Sequence, residues 1–330
     1  MNRGKCGTMA PLQKGVILVI IGIMLTVLTV VLAICLYCYK IAFYVPPRKP
    51  VPGDVIDFPP GKAYEPFHPQ MKAWALENGK RKQEHFSIKS FDGLTLWGTF
   101  YEYAPGAPME LMFHGYRGNA QRDLPGGVQR CFECGRSAFI VDQRCAGRSG
   151  GKTITFGVNE RKDCLAWVDF LIGHFGPDVK IILTGISMGA ATVIMAGGEE
   201  LPPNVIGILA DCGYSSQKEI MQKIAGEMHF PPKLCYPFIK LSARIFGGFK
   251  LEETTPMEAL KRVKVPVIFC HGEDDDFVPC RMSRKMYEAC PGKKDIFTVP
   301  GADHGLAYPV DMEGYVARVR AFFGPEASAE

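Results

Sequence analysis

The stretch Val179-Lys180-Ile181-Ile182-Leu183-Thr184-Gly185-Ile186-Ser187-Met188-Gly189-Ala190-Ala191-Thr192-Val193-Ile194-Met195-Ala196 decides how this sequence is read. Its first six residues form a short apolar run with the length of a buried strand. Met188 to Ala196 then reads as an apolar helix. Between them only Gly185, Ile186 and Ser187 are left for the turn. Such a turn is tight, and Gly185 and Gly189 leave room where strand and helix crowd together. The Ser187 hydroxyl is thereby held at the carboxyl edge of a sheet, near a helix N-terminus.

The same alternation extends to both sides. His85 to Ser90 and Leu94 to Tyr103 flank Asp92-Gly93, a strong hairpin signal. Apolar runs follow at Glu110 to Phe113, Ala138 to Val141, Val205 to Ala210, Val265 to Cys270 and Asp295 to Val299. Helical stretches lie between several of them, including Asn159 to Phe175, with Asn159 as its expected N-cap, and Val316 to Phe323. Near-continuous apolar strands alternating with helices predict a mostly parallel sheet covered on both faces. One stretch departs from this. From about 216 to 255 there is no strand pattern, and Met and aromatic residues recur between the breaks at Pro231-Pro232 and Gly247-Gly248. It reads as a small helical cap, either packed for stability or lining a pocket for an apolar acyl group.

A serine hydroxyl is a weak nucleophile and needs a base that is itself oriented. Two loops can supply them. His271-Gly272-Glu273-Asp274-Asp275-Asp276-Phe277-Val278-Pro279 follows one late strand, and Gly301-Ala302-Asp303-His304-Gly305 follows the last. His304 is the candidate base, and the three aspartates 274 to 276 are candidate acids. All of these fall at strand carboxyl ends, where open α/β sheets place their sites. His114 and His271 each precede glycine at a strand end and are read as loop supports. His68, His85, His174 and His229 have no evident partners. The aspartate run lacks the spaced ligands of a calcium loop.

With these motifs in place, the sequence resembles the α/β-hydrolase superfamily, in particular membrane-anchored bacterial hydrolases of the serine aminopeptidase-like and Bem46-like groups. The resemblance rests on His114-Gly115-Tyr116-Arg117-Gly118-Asn119, on Asp142 to Gly151, on the Ser187 turn, on His271 to Pro279 and on Gly301 to Gly305. It implies an eight-stranded, mostly parallel sheet and a Ser187–His304–Asp275 triad, with the acid taken from the pattern His-Gly-x-x-Asp-x-x-Val-Pro. It also implies an oxyanion hole made by the backbone N–H groups of Met188 and Tyr116. Cys145-Ala146 stands where these relatives often have Gly-His. The implied activity is hydrolysis of carboxylic esters through an acyl-enzyme, with lipid-like or acylated substrates. The alternatives are a peptidase or aminopeptidase-like amide hydrolase, a thioesterase, and a non-enzymatic membrane binding protein. No cofactor and no metal is implied.

The remaining sequence places this domain. The chain has 330 residues, 47% hydrophobic and 22% charged, with a formal net charge of +4. That suits a folded domain with a sizeable core, and no basic block is dense enough to suggest nucleic acid. Residues 1–14 form a tail. The uncharged run from Gly15 to Cys38 exceeds the ~20 residues that a bilayer core needs. It is too long for a signal-peptide core and lacks an Ala-x-Ala exit. Residues 15–39 are therefore expected to be a single transmembrane anchor, with Tyr37, Tyr39 and Tyr44 as an interfacial belt. Arg3, Lys5 and Lys14 on one side balance Lys40, Arg48 and Lys49 on the other, so flanking charge gives no orientation. Residues 40–84 read as a Pro-rich spacer with a short helix, and 85–326 as the hydrolase domain. The 12 cysteines are scattered rather than framed. Cys131 and Cys134 read as two apolar residues on one helical face, not half of a zinc site.

Overall fold

The computed structural model describes residues 11–46 and 58–324. The first described element is helix α1 (Pro11–Ala42). Its side chains from Val16 to Val30 are exposed on every face, and Thr26 and Thr29 return their hydroxyls to Gly22 O and Leu25 O at 2.9 Å. A helix that is apolar all round and internally satisfied matches a bilayer interior. After α2 (His68–Lys80) come β1 (Glu84–Lys89), β2 (Thr95–Tyr101) and β3 (Met109–Phe113), then α3 (Ala120–Asp123), α4 (Pro125–Glu133) and β4 (Ser137–Asp142). Next are α5 (Glu160–Phe175), β5 (Ile181–Ile186), α6 (Met188–Gly197) and β6 (Val205–Asp211). The chain then forms α7 (Gln217–Glu227), α8 (Pro232–Ile245) and α9 (Pro256–Leu260), followed by β7 (Val267–Gly272), α10 (Arg281–Ala289), β8 (Lys294–Val299), α11 (Ala307–Val310) and α12 (Met312–Phe323).

The eight strands form one sheet in the order β1-β2-β4-β3-β5-β6-β7-β8. β1 and β2 are antiparallel, β2 meets β4 antiparallel, and all later pairs are parallel. β5 lies between β3 and β6, with Gly185 opposite Phe113 on one side and Ala210 on the other. The turn after β5 therefore opens at the middle of the sheet, where both faces are buried.

The apolar strands pack into clusters on the two faces. Leu111, Phe139, Leu183 and Phe269 meet Trp167 of α5 and Val193 of α6. Ile182, Leu209 and Ile268 meet Tyr315 and Val319 of α12. Cys131 and Cys134 are buried in the core around α4, and among the described residues the cysteines are unpaired. Asn159 precedes α5, but its side chain makes no cap; helical backbone at that position turns it away from the free N–H groups.

A further cluster joins α1 to the domain. Tyr39, Phe43 and Val45 are buried against Tyr236, Ala243 and Phe249 of the α7–α9 region. Tyr39 bonds Thr153 through their hydroxyls at 2.7 Å, and Tyr44 bridges Thr153 through its backbone. Tyr39 and Tyr44 are therefore not a lipid-facing belt. They dock the end of α1 onto the domain, whereas Tyr37 stays exposed. Most of the Pro-rich stretch, residues 47–57, lies outside the described residues.

Candidate active site

Ser187 is the residue between β5 and α6, and its backbone has φ +59° and ψ −117°. That is the left-handed side of conformational space, which costs a residue with a Cβ of order 1–3 kcal/mol. The surroundings enforce it. A Cβ on Gly185 would stand 2.2 Å from the Gly189 carbonyl, and one on Gly189 would stand 2.0 Å from Phe113 O. Neither position can hold a larger residue. The Ser187 N–H is fixed by Asp211 O at 2.8 Å. The side chain is thus aimed from the sheet edge while the helix begins at Met188.

His304, after β8, and Asp275, after β7, meet there. His304 Nε2 is 2.9 Å from Ser187 Oγ, and His304 Nδ1 is 2.7 Å from Asp275 Oδ2. Asp275 is 5% exposed. Burial alone would raise its carboxyl, but hydrogen bonds from His271 and His304 hold it down to about 2. An ionised Asp275 needs a donor at His304 Nδ1, which leaves Nε2 free to accept the Ser187 proton. Asp274 and Asp276 take no part in this relay; Asp274 directs its backbone N–H to Ala302 O. Phe277 packs its ring edge-on to His304 at 5.1 Å.

His271 does more than support its loop. Its Nε2 lies 2.7 Å from Val278 O and 3.1 Å from Asp275 Oδ2, and its Nδ1 is 2.6 Å from Ser283 Oγ. With the proton on Nε2, His271 donates toward the carbonyl and the carboxylate and accepts from Ser283. The Val278 N–H completes the cradle at Asp275 Oδ1, 2.7 Å away. His114 is a loop support: its Nδ1 is 2.8 Å from Gly115 O, and its Nε2 accepts from the Gln143 N–H.

The loop after β3 lies over the serine. A Cβ on Gly115 would reach Ser187 Cβ at 3.5 Å. The next residue, Tyr116, donates its hydroxyl to Ala42 O at 2.8 Å. Arg117, at φ +55°, donates to Tyr116 Oη, Ile41 O and Tyr44 O. Ile41 and Ala42 end α1, where carbonyls lack helical partners and the helix dipole is negative. The loop beside Ser187 thus caps the apolar N-terminal helix. Asp142 braces the same region, accepting from the N–H groups of Ala120 and Arg148. Cys145 adopts φ +68°, a conformation glycine favours.

A cleft of about 650 Å³ opens beside Ser187 and His304. Its apolar lining includes Met71, Trp74, Met112, Ile186, Phe277 and Tyr308. Pro59 to Tyr64 line it as well, and Tyr64 donates its hydroxyl to His304 O at 2.8 Å. No residue of 216–255 lines this cleft, so the cap helices do not form its acyl lining. The cap's carboxylates are also elsewhere engaged. Glu219 faces Arg281 and Lys285, Glu227 faces Lys223, Glu252 faces Lys240, and Glu253 faces Arg161.

Cys212, Asp275 and His304 bring one donor atom each within 4.8 Å of one another. This group does not suit a metal. Both His304 nitrogens are engaged, and burial pushes the Cys212 thiol well above its ordinary value, so no thiolate is offered.

A family described as Serine hydrolase (FSH1) matches residues 213–305. YqkD of Bacillus subtilis is 26% identical over 240 residues, covering 72% of this chain and 78% of that one. The α/β hydrolase domain-containing protein aho-3 of Caenorhabditis elegans is 37% identical over 203 residues, 60% of this chain and 52% of its own length. Among solved structures, the Pyrococcus furiosus esterase Pf2001 superposes with a TM-score of 0.64 at 20% identity, covering 85% of this chain and 97% of that one. The fold is that of a serine-hydrolase-type α/β hydrolase. In fold and in these likenesses the chain is similar to the α/β-hydrolase superfamily.

Proposed function

We propose that this protein is a membrane-anchored carboxylic ester hydrolase that works through an acyl-enzyme on Ser187. The relay of Ser187, His304 and Asp275 at 2.9 and 2.7 Å carries the reading. His304 Nε2 takes the Ser187 proton as Oγ attacks the ester carbonyl. Asp275 holds Nδ1–H and stabilises the imidazolium. The N–H groups of Met188 and Tyr116 stabilise the oxyanion of the tetrahedral intermediate, each worth on the order of 10²–10³ in rate. His304 then protonates the leaving alcohol, and the C–O bond breaks to leave Ser187 acylated. Water, deprotonated by His304, attacks the acyl group; the acid leaves and Ser187 regains its proton.

The apolar cleft supports an apolar acyl group, and the uncharged α1 supports a substrate met at a membrane. A thioester would follow the same steps with a thiol leaving group. The aminopeptidase alternative needs carboxylates free to hold a substrate ammonium. The four cap glutamates line no part of the cleft and are ion-paired. An aminopeptidase would have to use an aspartate of the cleft wall, of which Asp123 pairs with Arg122, Asp211 accepts from Tyr315 and Asp276 is exposed. The test compares p-nitrophenyl esters of increasing chain length with aminoacyl anilides. Turnover rising with acyl length and absent on anilides is expected. Preference for anilides would establish the peptidase, and no turnover on any ester, thioester or amide would leave a binding protein.

A further inference from the structure

The cap helix α8 has three distinct sectors. Tyr236, Ile239, Ala243 and Phe246 face inward and pack with Tyr39 and Phe43 at the end of α1. Leu234, Leu241 and Ile245 are exposed by 65, 39 and 46%, with Phe238 half-buried between them. Successive residues on a helix turn by about 100°, so positions 234, 238, 241 and 245 form one continuous stripe. Lys233, Lys240 and Arg244 fall together along one flank of that stripe and are exposed. Met228 and Phe230, in the turn before α8, are exposed by 44 and 41%.

A soluble surface rarely keeps a row of large apolar side chains with nothing against them. The cleft does not use them, because α8 lines no part of it. The helix that carries them packs against the end of α1 through its inward sector. The rings of Phe246 and Tyr39 are 5.9 Å apart, which sets α8 at the level of the last turns of α1. That level is just past Cys38, where the uncharged run ends and the headgroup region of a bilayer would begin. An apolar stripe with a basic flank at that depth has the chemistry of an interfacial helix.

We propose that α8 is a second membrane contact, whose Leu234–Phe238–Leu241–Ile245 stripe inserts into the headgroup–acyl boundary beside α1. The bilayer is chosen over a protein partner because the stripe lies on the helix that packs against the last turns of α1, and because its flank carries Lys233 and Arg244, with Lys240 shared with Glu252. The proposal rests on α1 crossing a bilayer. It fixes the orientation of the domain on the membrane instead of leaving it free on a tether.

The experiment uses the full chain in vesicles of phosphatidylcholine and phosphatidylglycerol, with and without brominated acyl chains. Three single variants carry a reporter tryptophan: Leu241→Trp on the stripe, Leu25→Trp in α1, and Asp178→Trp at the opposite end of β5 from Ser187. All three positions are exposed, so the fold tolerates the larger ring. After subtraction of the parent emission, Leu241→Trp and Leu25→Trp are expected to be quenched several-fold more than Asp178→Trp. Quenching of Leu25→Trp alone overturns the proposal while sparing the membrane helix. A blue-shifted but unquenched Leu241→Trp also overturns it, showing the stripe covered by a second copy or another protein. Absence of quenching at both positions removes the anchor and the proposal together.

Discussion

His271 Nε2 stands 3.1 Å from Asp275 Oδ2, the same oxygen that His304 Nδ1 holds at 2.7 Å. One carboxylate therefore serves two histidines, and only one of them reaches the serine. The second histidine keeps Asp275 charged and aimed within a buried pocket. Removing a hydrogen bond to a charged group costs about 1.5–3 kcal/mol. His271→Phe is accordingly expected to lower kcat at least ~10-fold with KM for a short ester nearly unchanged. His271→Gln, which can still donate, should recover part of the loss. Steady-state kinetics of the two variants measures this, and equal kcat in both would assign His271 to packing alone.

The held-down Asp275 carboxyl also links to stability. Its folded pKa of about 2 lies below the ordinary aspartate value near 3.9. Stabilisation from its ionised form is therefore fully present above roughly pH 4 and is lost as pH falls toward 2. Asp275→Asn should flatten the fall of the unfolding midpoint across that window relative to the parent. The same variant removes the partner that fixes the His304 tautomer, so kcat should drop on the order of 10⁴. Thermal unfolding between pH 5 and 2 and ester kinetics at neutral pH read the two effects separately.

The two glycines around Ser187 permit no Cβ. Gly185→Ala and Gly189→Ala would each press a methyl into backbone 2.2 and 2.0 Å away. Overpacking against backbone of this kind costs at least ~3 kcal/mol. Both variants are expected to show a markedly lower melting temperature or no folded yield. Gly93→Ala, in an open hairpin turn at φ +84°, should cost only the ~1 kcal/mol of its backbone strain.

Tyr116 and Arg117 tie the serine's neighbouring loop to the end of α1. Arg117→Ala removes the cation that binds the Ile41 and Tyr44 carbonyls. The loop proposed to supply the Tyr116 N–H should then lose order without losing its backbone N–H groups. The expected result is a kcat lowered about tenfold, equivalent to ~1.4 kcal/mol, with KM little changed. Kinetics on a short water-soluble ester isolates this from membrane effects. An unchanged kcat would confine Arg117 to holding the helix.

The sequence makes the sheet legible because each strand is a short apolar run closed by a turn. Ser187 stands out because it follows such a run directly and His304 because it lies on the loop after the last one, whereas Asp275 is told from Asp274 and Asp276 only by the resemblance to the His-Gly-x-x-Asp-x-x-Val-Pro pattern. Three features are not readable there, for physical reasons. The bond from Tyr64 to His304 O spans 240 positions and leaves no local pattern. Tyr39, at the end of an apolar run, has the composition of a lipid-facing aromatic whether it meets lipid or protein; only the packing against Phe246 separates the two. The apolar residues of 216–255 likewise reveal burial tendency but not direction, and they turn toward α1 and the surface rather than the cleft. His271 carries a weak signal, being four residues before Asp275 at a strand end, yet its role needs the loop to fold back through Val278.

Labelling of the 330-residue chain with a fluorophosphonate, followed by mass spectrometry of the modified peptide, tests whether Ser187 is the nucleophile. The reagent phosphonylates a serine only where a base has activated the hydroxyl. One adduct is expected, on Ser187, absent in Ser187→Ala and strongly slowed in an otherwise folded His304→Ala. Equal labelling of the parent and Ser187→Ala, or an adduct on another serine, would contradict that assignment.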